Sequence, residues 1–159
     1  MAGNIEKEAC KNIIMNSFKT YSLTTDEKQE IKHLIKAELE KHNEIAFAYI
    51  YGSFIEPEMP FFRDIDIGIY LIDYKDADCL KYEIELSIEL EKCLQYKYPV
   101  DLRVINKSDI LFVHNVIQGE LLFIRDEDLW TDFVVYVSLK YNDIASVFNH
   151  YFKEAYIER

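Results

Sequence analysis

Three carboxylates and one glycine-serine turn are the residues of this chain best suited to chemistry. Asp64 and Asp66 stand two apart in the apolar run Asp64-Ile-Asp-Ile-Gly-Ile-Tyr-Leu71. In an extended strand, residues at that spacing point to one side, so the two carboxylates project together while Ile65 and Ile67 face the other way. Paired carboxylates repel unless a cation lies between them, and hard oxygen ligands suit a divalent ion such as magnesium. Asp101 sits in a second short alternation, Pro99-Val-Asp-Leu-Arg-Val-Ile105, with Arg103 on its own face and Val100, Leu102 and Val104 opposite. If that strand pairs beside the first, three carboxylates converge, enough to hold two metal ions. Gly52-Ser53 ends an earlier apolar run. Glycine lets a phosphate approach the backbone, and free N–H groups with the serine hydroxyl can cradle it.

The order Gly52-Ser53, Asp64-x-Asp66 and then an aspartate in a following strand resembles the signature of the polymerase-β-like nucleotidyltransferases, in particular the small minimal nucleotidyltransferases. The resemblance spans roughly residues 44–125. It implies an α+β fold with a small mixed β-sheet flanked by helices, and an enzyme that moves AMP from ATP to a hydroxyl. It further implies Asp64, Asp66 and Asp101 as the catalytic carboxylates and ligands of two Mg2+ ions, with Gly52 and Ser53 on the nucleotide's terminal phosphates. Many members of that group resemble antitoxins that silence a HEPN-domain ribonuclease toxin by transferring AMP to a toxin tyrosine. A HEPN toxin is thus the expected partner, and ATP the expected substrate.

The chain departs from the family pattern after the serine. Phe54, Ile55, Glu56 and Glu58 occupy the stretch where typical members carry arginines. Negative charge beside a triphosphate is unfavourable, which leaves Arg63 and Arg103 either to contact the nucleotide or to pair with the carboxylates. Two other readings follow from the departure. One is a binding module that neutralises a partner by contact alone. The other is nucleotide transfer to a small molecule such as an aminoglycoside, although relatives of that kind carry a further C-terminal domain.

The elements that must position these residues are legible in the pattern. Thr24-Thr-Asp-Glu27 has the form of a capping box, and Ile31, Leu34, Ile35 and Leu39 follow at helical spacing, predicting a helix to about Lys41. Ile45 to Tyr51 is a β-rich apolar run suited to a buried strand. Pro57, Pro60 and the pair Phe61-Phe62 make the linker to Asp64 irregular; its aromatics either stack on a base or anchor the loop. From Leu80 to Leu90 apolar and polar residues alternate, a strand signal. Yet Cys79, Tyr82, Leu86, Leu90 and Cys93 share a helical stripe, which Ile84 and Ile88 would widen. The Leu, Glu and Lys content favours a helix, and a helical crossover would bring the Asp101 strand beside its neighbour. A helix from about Lys107 to Gln118 containing His114, a stop at Gly119 and a short strand to Ile124 come next. Residues 126–156 read as one long helix or two, rich in Trp130, Tyr136, Tyr141, Tyr151 and Tyr156. So many aromatics exceed what one small sheet covers, which is compatible with a homodimer or partner contact.

The expected organisation is an N-terminal extension at 1–23, with a short helix around Ile13 to Phe18, a nucleotidyltransferase domain at 24–125, and a helical segment at 126–159 packed on it. With 159 residues, half hydrophobic, the chain can bury one core. A net charge of −11 argues against non-specific nucleic-acid binding, which relies on Lys and Arg against phosphates. Cys10, Cys79 and Cys93 show no metal-ligand spacing and read as free thiols of a reducing cytoplasm. No apolar run approaches the roughly 20 residues that span a bilayer.

Overall fold

The structure, a computed structural model, describes residues 19–157. The short helix expected around Ile13 to Phe18 lies outside the described residues, as does Cys10; Cys79 and Cys93 are free thiols. The element order is α1 (Thr25–Leu39), β1 (Ile45–Tyr51), β2 (Ile65–Leu71), α2 (Cys79–Cys93), β3 (Val100–Val104), α3 (Ile110–Ile117), β4 (Glu120–Ile124) and α4 (Glu127–Ile157).

The start of α1 is the capping box read from sequence. The Thr24 hydroxyl accepts from the Glu27 N–H, and the Glu27 carboxylate accepts from the Thr24 N–H at 2.8 Å. Together they satisfy donors that a helix start leaves unpaired. The apolar stripe of α1 then buries Ile31, Ile35 and Leu39.

Four strands form a mixed sheet in the order β3-β2-β1-β4. β1 pairs antiparallel with β2 and β4, whereas β2 and β3 run parallel. A parallel pair needs a long crossover, and α2 supplies it as a helix, resolving the ambiguous alternation in that stretch. One face of the sheet packs on α1 and α2 through residues such as Ile50, Ile67 and Leu102 against Ile35, Leu86 and Leu90. The other face carries Phe47, Tyr49 and Tyr51 against Val113 and Val116 of α3 and Phe133 and Val137 of α4. Gly68 of β2 makes that second contact close, since a Cβ there would lie 2.5 Å from Val116.

Ile84 and Ile88 do not widen the buried face of α2; they are 52% and 51% exposed. What α2 turns toward β3 is partly polar. The Val104 N–H donates to Glu83 at 2.8 Å, the Leu102 N–H to Ser87 at 3.3 Å and the Val100 N–H to Glu91 at 3.0 Å. Spaced by four, these side chains form one helical row that occupies alternate donors of the outer edge of β3.

Two other side chains fasten strand ends. Asn106 imitates a strand neighbour to Leu71, accepting from its N–H at 2.9 Å and donating to its carbonyl at 2.8 Å. Arg125 donates to the carbonyls of Glu40, His42 and Ile45, clamping the end of α1 to the start of β1. α4 is a single helix of 31 residues. Its first turns join the core, where Trp130 donates to the Tyr49 hydroxyl at 2.7 Å and Tyr141 stacks on His114. Farther along, Val147, Phe148, Tyr151 and Phe152 are exposed.

Arg125→Ala should lower stability by about 2 kcal/mol, because three carbonyls lose a charged donor. Urea denaturation measures this, and an unchanged midpoint would show the clamp to be idle.

Candidate active site

β1 carries Tyr51 to one end of the sheet, and the chain then turns at Gly52, whose φ is +75°. A Cβ on Gly52 would lie 2.3 Å from Oδ2 of Asp66. Glycine is therefore required twice, by the left-handed backbone and by contact with a carboxylate. Gly52–Phe54 form a short 3-10 turn in which Ser53 is half-buried and Phe54 fully buried.

Asp66 is the register partner of Tyr51 on one side and of Asp101 on the other. The parallel β2–β3 pairing thus sets two carboxylates directly opposite one another, on the sheet face that Gly68 and Tyr70 share. Asp64 lies on the bend immediately before β2 rather than inside it. Its charge still reaches Asp66. Burial first, then the charges of Asp64 and Asp101, push the Asp66 carboxyl up to about 6, against the opposing influence of Arg63 and Arg103. The same acids, after burial, push the Tyr51 phenol far up, so it remains a neutral hydroxyl beside them.

The two arginines differ. Arg63 is exposed. Arg103 binds Asp101 through both ends of its fork, Nε to Oδ1 at 2.9 Å and Nη2 to Oδ2 at 3.4 Å, which raises its own pKa. Both side chains of this pair are about half exposed, so it is a weak tie. Among the described residues, no three Asp, Glu, His or Cys side chains are drawn close enough together to hold an ion. The oxygens of Asp101 face Arg103 instead.

An open cleft of about 460 Å³ borders these residues, lined by Tyr51, Asp66, Glu83, Asp101, Arg103 and Phe112 among others. Its acidic donors are all oxygens, a set matched to a hard divalent cation rather than to a soft one. Tyr51, Glu83 and Phe112 were not singled out by their sequence context. Only the four-residue spacing of Glu83, Ser87 and Glu91 carried a signal for one of them. In the linker, Phe62 is 2% exposed and packs on Phe54, Tyr21 and Tyr98, whereas Phe61 is exposed. Tyr21 also pairs with Phe62 through both backbone hydrogen bonds, at 2.8 and 3.0 Å. Phe62 thus anchors the loop. His114 takes no place among the residues lining this cleft.

Comparison with known proteins bears on the family and the fold. The family described as Polymerase beta, Nucleotidyltransferase matches residues 33–128. No curated protein matches the chain. Among solved structures, a chain of the tri-AMPylated Shewanella oneidensis HEPN toxin in complex with MNT antitoxin aligns with a TM-score of 0.58 at 20% identity, covering 82% of this chain and 96% of that one. A toxin–antitoxin structure with AMP-PNP aligns at 0.59 and 20% identity, covering 80% and 95%. The toxin–antitoxin MntA-HepT aligns at 0.57 and 19% identity, covering 82% and 96%. Likeness at these identities establishes a common fold.

The raised pKa of Asp66 fixes the sign of a pH effect. The folded chain holds this proton to about 6 while the unfolded chain releases it near 3.8, so stability falls as pH rises between the two values. Asp66→Asn removes that cost. Discounted for the solvent exposure of the carboxyl, it should raise the melting temperature of the metal-free protein by roughly 2–4 °C at about pH 8 and leave it nearly unchanged at about pH 4. Thermal scans at the two pH values check this; a lower melting temperature for the variant at the higher pH would show that no such cost exists.

Proposed function

The chain belongs to the polymerase beta nucleotidyltransferase family, and from that premise we propose that it transfers AMP from ATP to a tyrosine hydroxyl of a HEPN-type toxin, acting as its antitoxin. One observation carries the site assignment: Asp66 and Asp101 are register partners, and Gly52 touches the Asp66 carboxylate. That juxtaposition provides acidic oxygens and a phosphate-accepting turn at a single place. The acceptor is suggested by relatives of the same fold, one a complex containing a tri-AMPylated HEPN toxin and one containing AMP-PNP.

In the proposed reaction the acceptor oxygen attacks the α-phosphorus in line. The bond from that phosphorus to the oxygen bridging to the β-phosphate breaks, and pyrophosphate leaves. Asp64, Asp66 and Asp101 would hold two Mg2+ ions, which supply Lewis-acid stabilisation of the attacking and leaving oxygens. Asp101, opposite Asp66, would take the proton of the incoming hydroxyl once Arg103 releases it. Gly52 and Ser53 offer the turn's N–H groups and a hydroxyl to the terminal phosphates. Arg63, exposed beside Asp64, is free to meet the nucleotide from the solvent side.

A second reading, neutralisation by contact alone, is favoured by exposed Glu56 and Glu58 after the turn and by the Arg103–Asp101 pair. One experiment separates the two. With magnesium and ATP labelled at the α-phosphate, the protein should label its co-expressed HEPN partner, and Asp64→Asn with Asp66→Asn should cut labelling by about a hundredfold or more. Labelling retained in the double variant refutes the carboxylate assignment. Binding and inhibition of the partner without any label from the wild-type chain establishes the contact reading.

A further inference from the structure

The turn that would receive the triphosphate is short of positive charge. From Gly52 through Phe62 the chain contains no Lys or Arg, and it places Glu56 and Glu58 there instead. The two arginines near the site lie on its carboxylate side. Arg103 is paired with Asp101, and Arg63 adjoins Asp64. Backbone N–H groups and one hydroxyl can orient a terminal phosphate. They do not balance its charge, which is the role that a basic side chain fills in phosphate sites.

Lys28 is positioned to fill it. It lies in the N-terminal part of α1, and α1 leads through a short connection into β1, running back along the sheet, so the start of α1 and the Gly52 turn share one end of the sheet. The Lys28 ammonium stands 5.5 Å from the centre of the Phe54 ring, and Phe54 follows Ser53 directly. Phe54 is fully buried, so the ring under the ammonium is fixed.

Nothing nearby on α1 neutralises Lys28. The residues three and four positions away are Thr24, Thr25, Ile31 and Lys32, none of them acidic. The adjacent Glu27 carboxylate is turned back on Thr24 by the capping box. Lys32, one turn on, is paired with Glu120 at 2.5 Å. Among the described residues Lys28 forms no ion pair, in contrast to Lys32, Lys36 and Lys41 of the same helix and the connection after it.

Resting on the nucleotidyltransferase reading, we infer that Lys28 is a phosphate-binding cation of this site, reaching from α1 across Phe54 to the terminal phosphates of the nucleoside triphosphate. A monophosphate lacks the groups Lys28 would meet, so the triphosphate and monophosphate should respond differently to its loss.

The test measures binding of AMP-PNP and AMP with magnesium, by calorimetry on the full chain, for wild type, Lys28→Gln and Lys28→Arg. Thermal melting checks that each variant is folded. Loss of one charged hydrogen bond should weaken AMP-PNP binding by about tenfold in Lys28→Gln. AMP binding should stay within about twofold, and Lys28→Arg should restore most of the loss. Where transfer is measured, KM for ATP should rise with kcat nearly unchanged. Equal AMP-PNP affinity in wild type and Lys28→Gln overturns the Lys28 assignment and leaves the nucleotidyltransferase reading intact, and a parallel loss of AMP binding overturns it likewise. A wild-type chain that binds neither nucleotide overturns both.

Discussion

The parallel pairing of β2 with β3 is the constraint from which the rest of the arrangement follows. It sets Asp66 against Asp101 residue for residue, and it cannot be closed by a tight turn. The chain between the two strands must therefore cross a face of the sheet, and α2 does so while burying Leu86 and Leu90. The same helix occupies the outer donors of β3 with Glu83, Ser87 and Glu91, so the edge strand that carries Asp101 is held from both sides. Like charges opposite one another weaken a sheet. Here the opposition is accepted, and it adds, after burial and the charge of Asp64, to the upward shift of the Asp66 carboxyl. Such a cost kept inside a cleft is what a functional site shows more often than a structural one.

A second constraint ties the turn to the carboxylates. Any side chain at position 52 would meet Asp66, so the backbone of the turn and the acid hold each other in place. Beneath the turn, Phe54, Phe62, Tyr21 and Tyr98 form an aromatic cluster that fixes both ends of the linker between Gly52 and Asp64. The irregular sequence between them, with Pro57, Met59 and Phe61 exposed, is thereby left as a loop on a rigid base. Loops of this kind commonly carry specificity while the scaffold below carries geometry.

Much of this was legible in the sequence because the signals were local. The capping box at Thr24, the buried run Ile45–Tyr51 and the Val100–Val104 alternation each depend on neighbours within a few residues. The stretch from Leu80 to Leu90 satisfied two periods at once, and its composition and the need for a crossover decided for helix. The apolar pattern then misplaced Ile84 and Ile88, since the row that meets β3 is Glu83, Ser87 and Glu91. Arg125 and Asn106 were illegible for a different reason. Their partners lie 80 to 85 and 35 residues away in sequence, where no periodicity reports on contact. For the site, the spacing of Asp64 and Asp66 suggested one strand face, but the strand begins at Ile65, and Asp64 acts on its neighbour from the preceding bend.

The pairing of Arg103 with Asp101 bears on how neighbouring acids are tolerated in this fold. Asp66 is half-buried and its carboxyl is pushed up chiefly by burial, and a free Asp101 carboxylate across the ladder would add to the repulsion. Arg103 supplies the opposing charge from the same strand face, two residues on. Because Arg103 is half exposed, water can take over its donors on release at small cost. A buried arginine in its place would lock the acid in the resting arrangement, since breaking a desolvated pair costs several kcal/mol, about 3–5 by comparison with other proteins. An exposed pair can therefore balance the charge of Asp101 and still open at small cost.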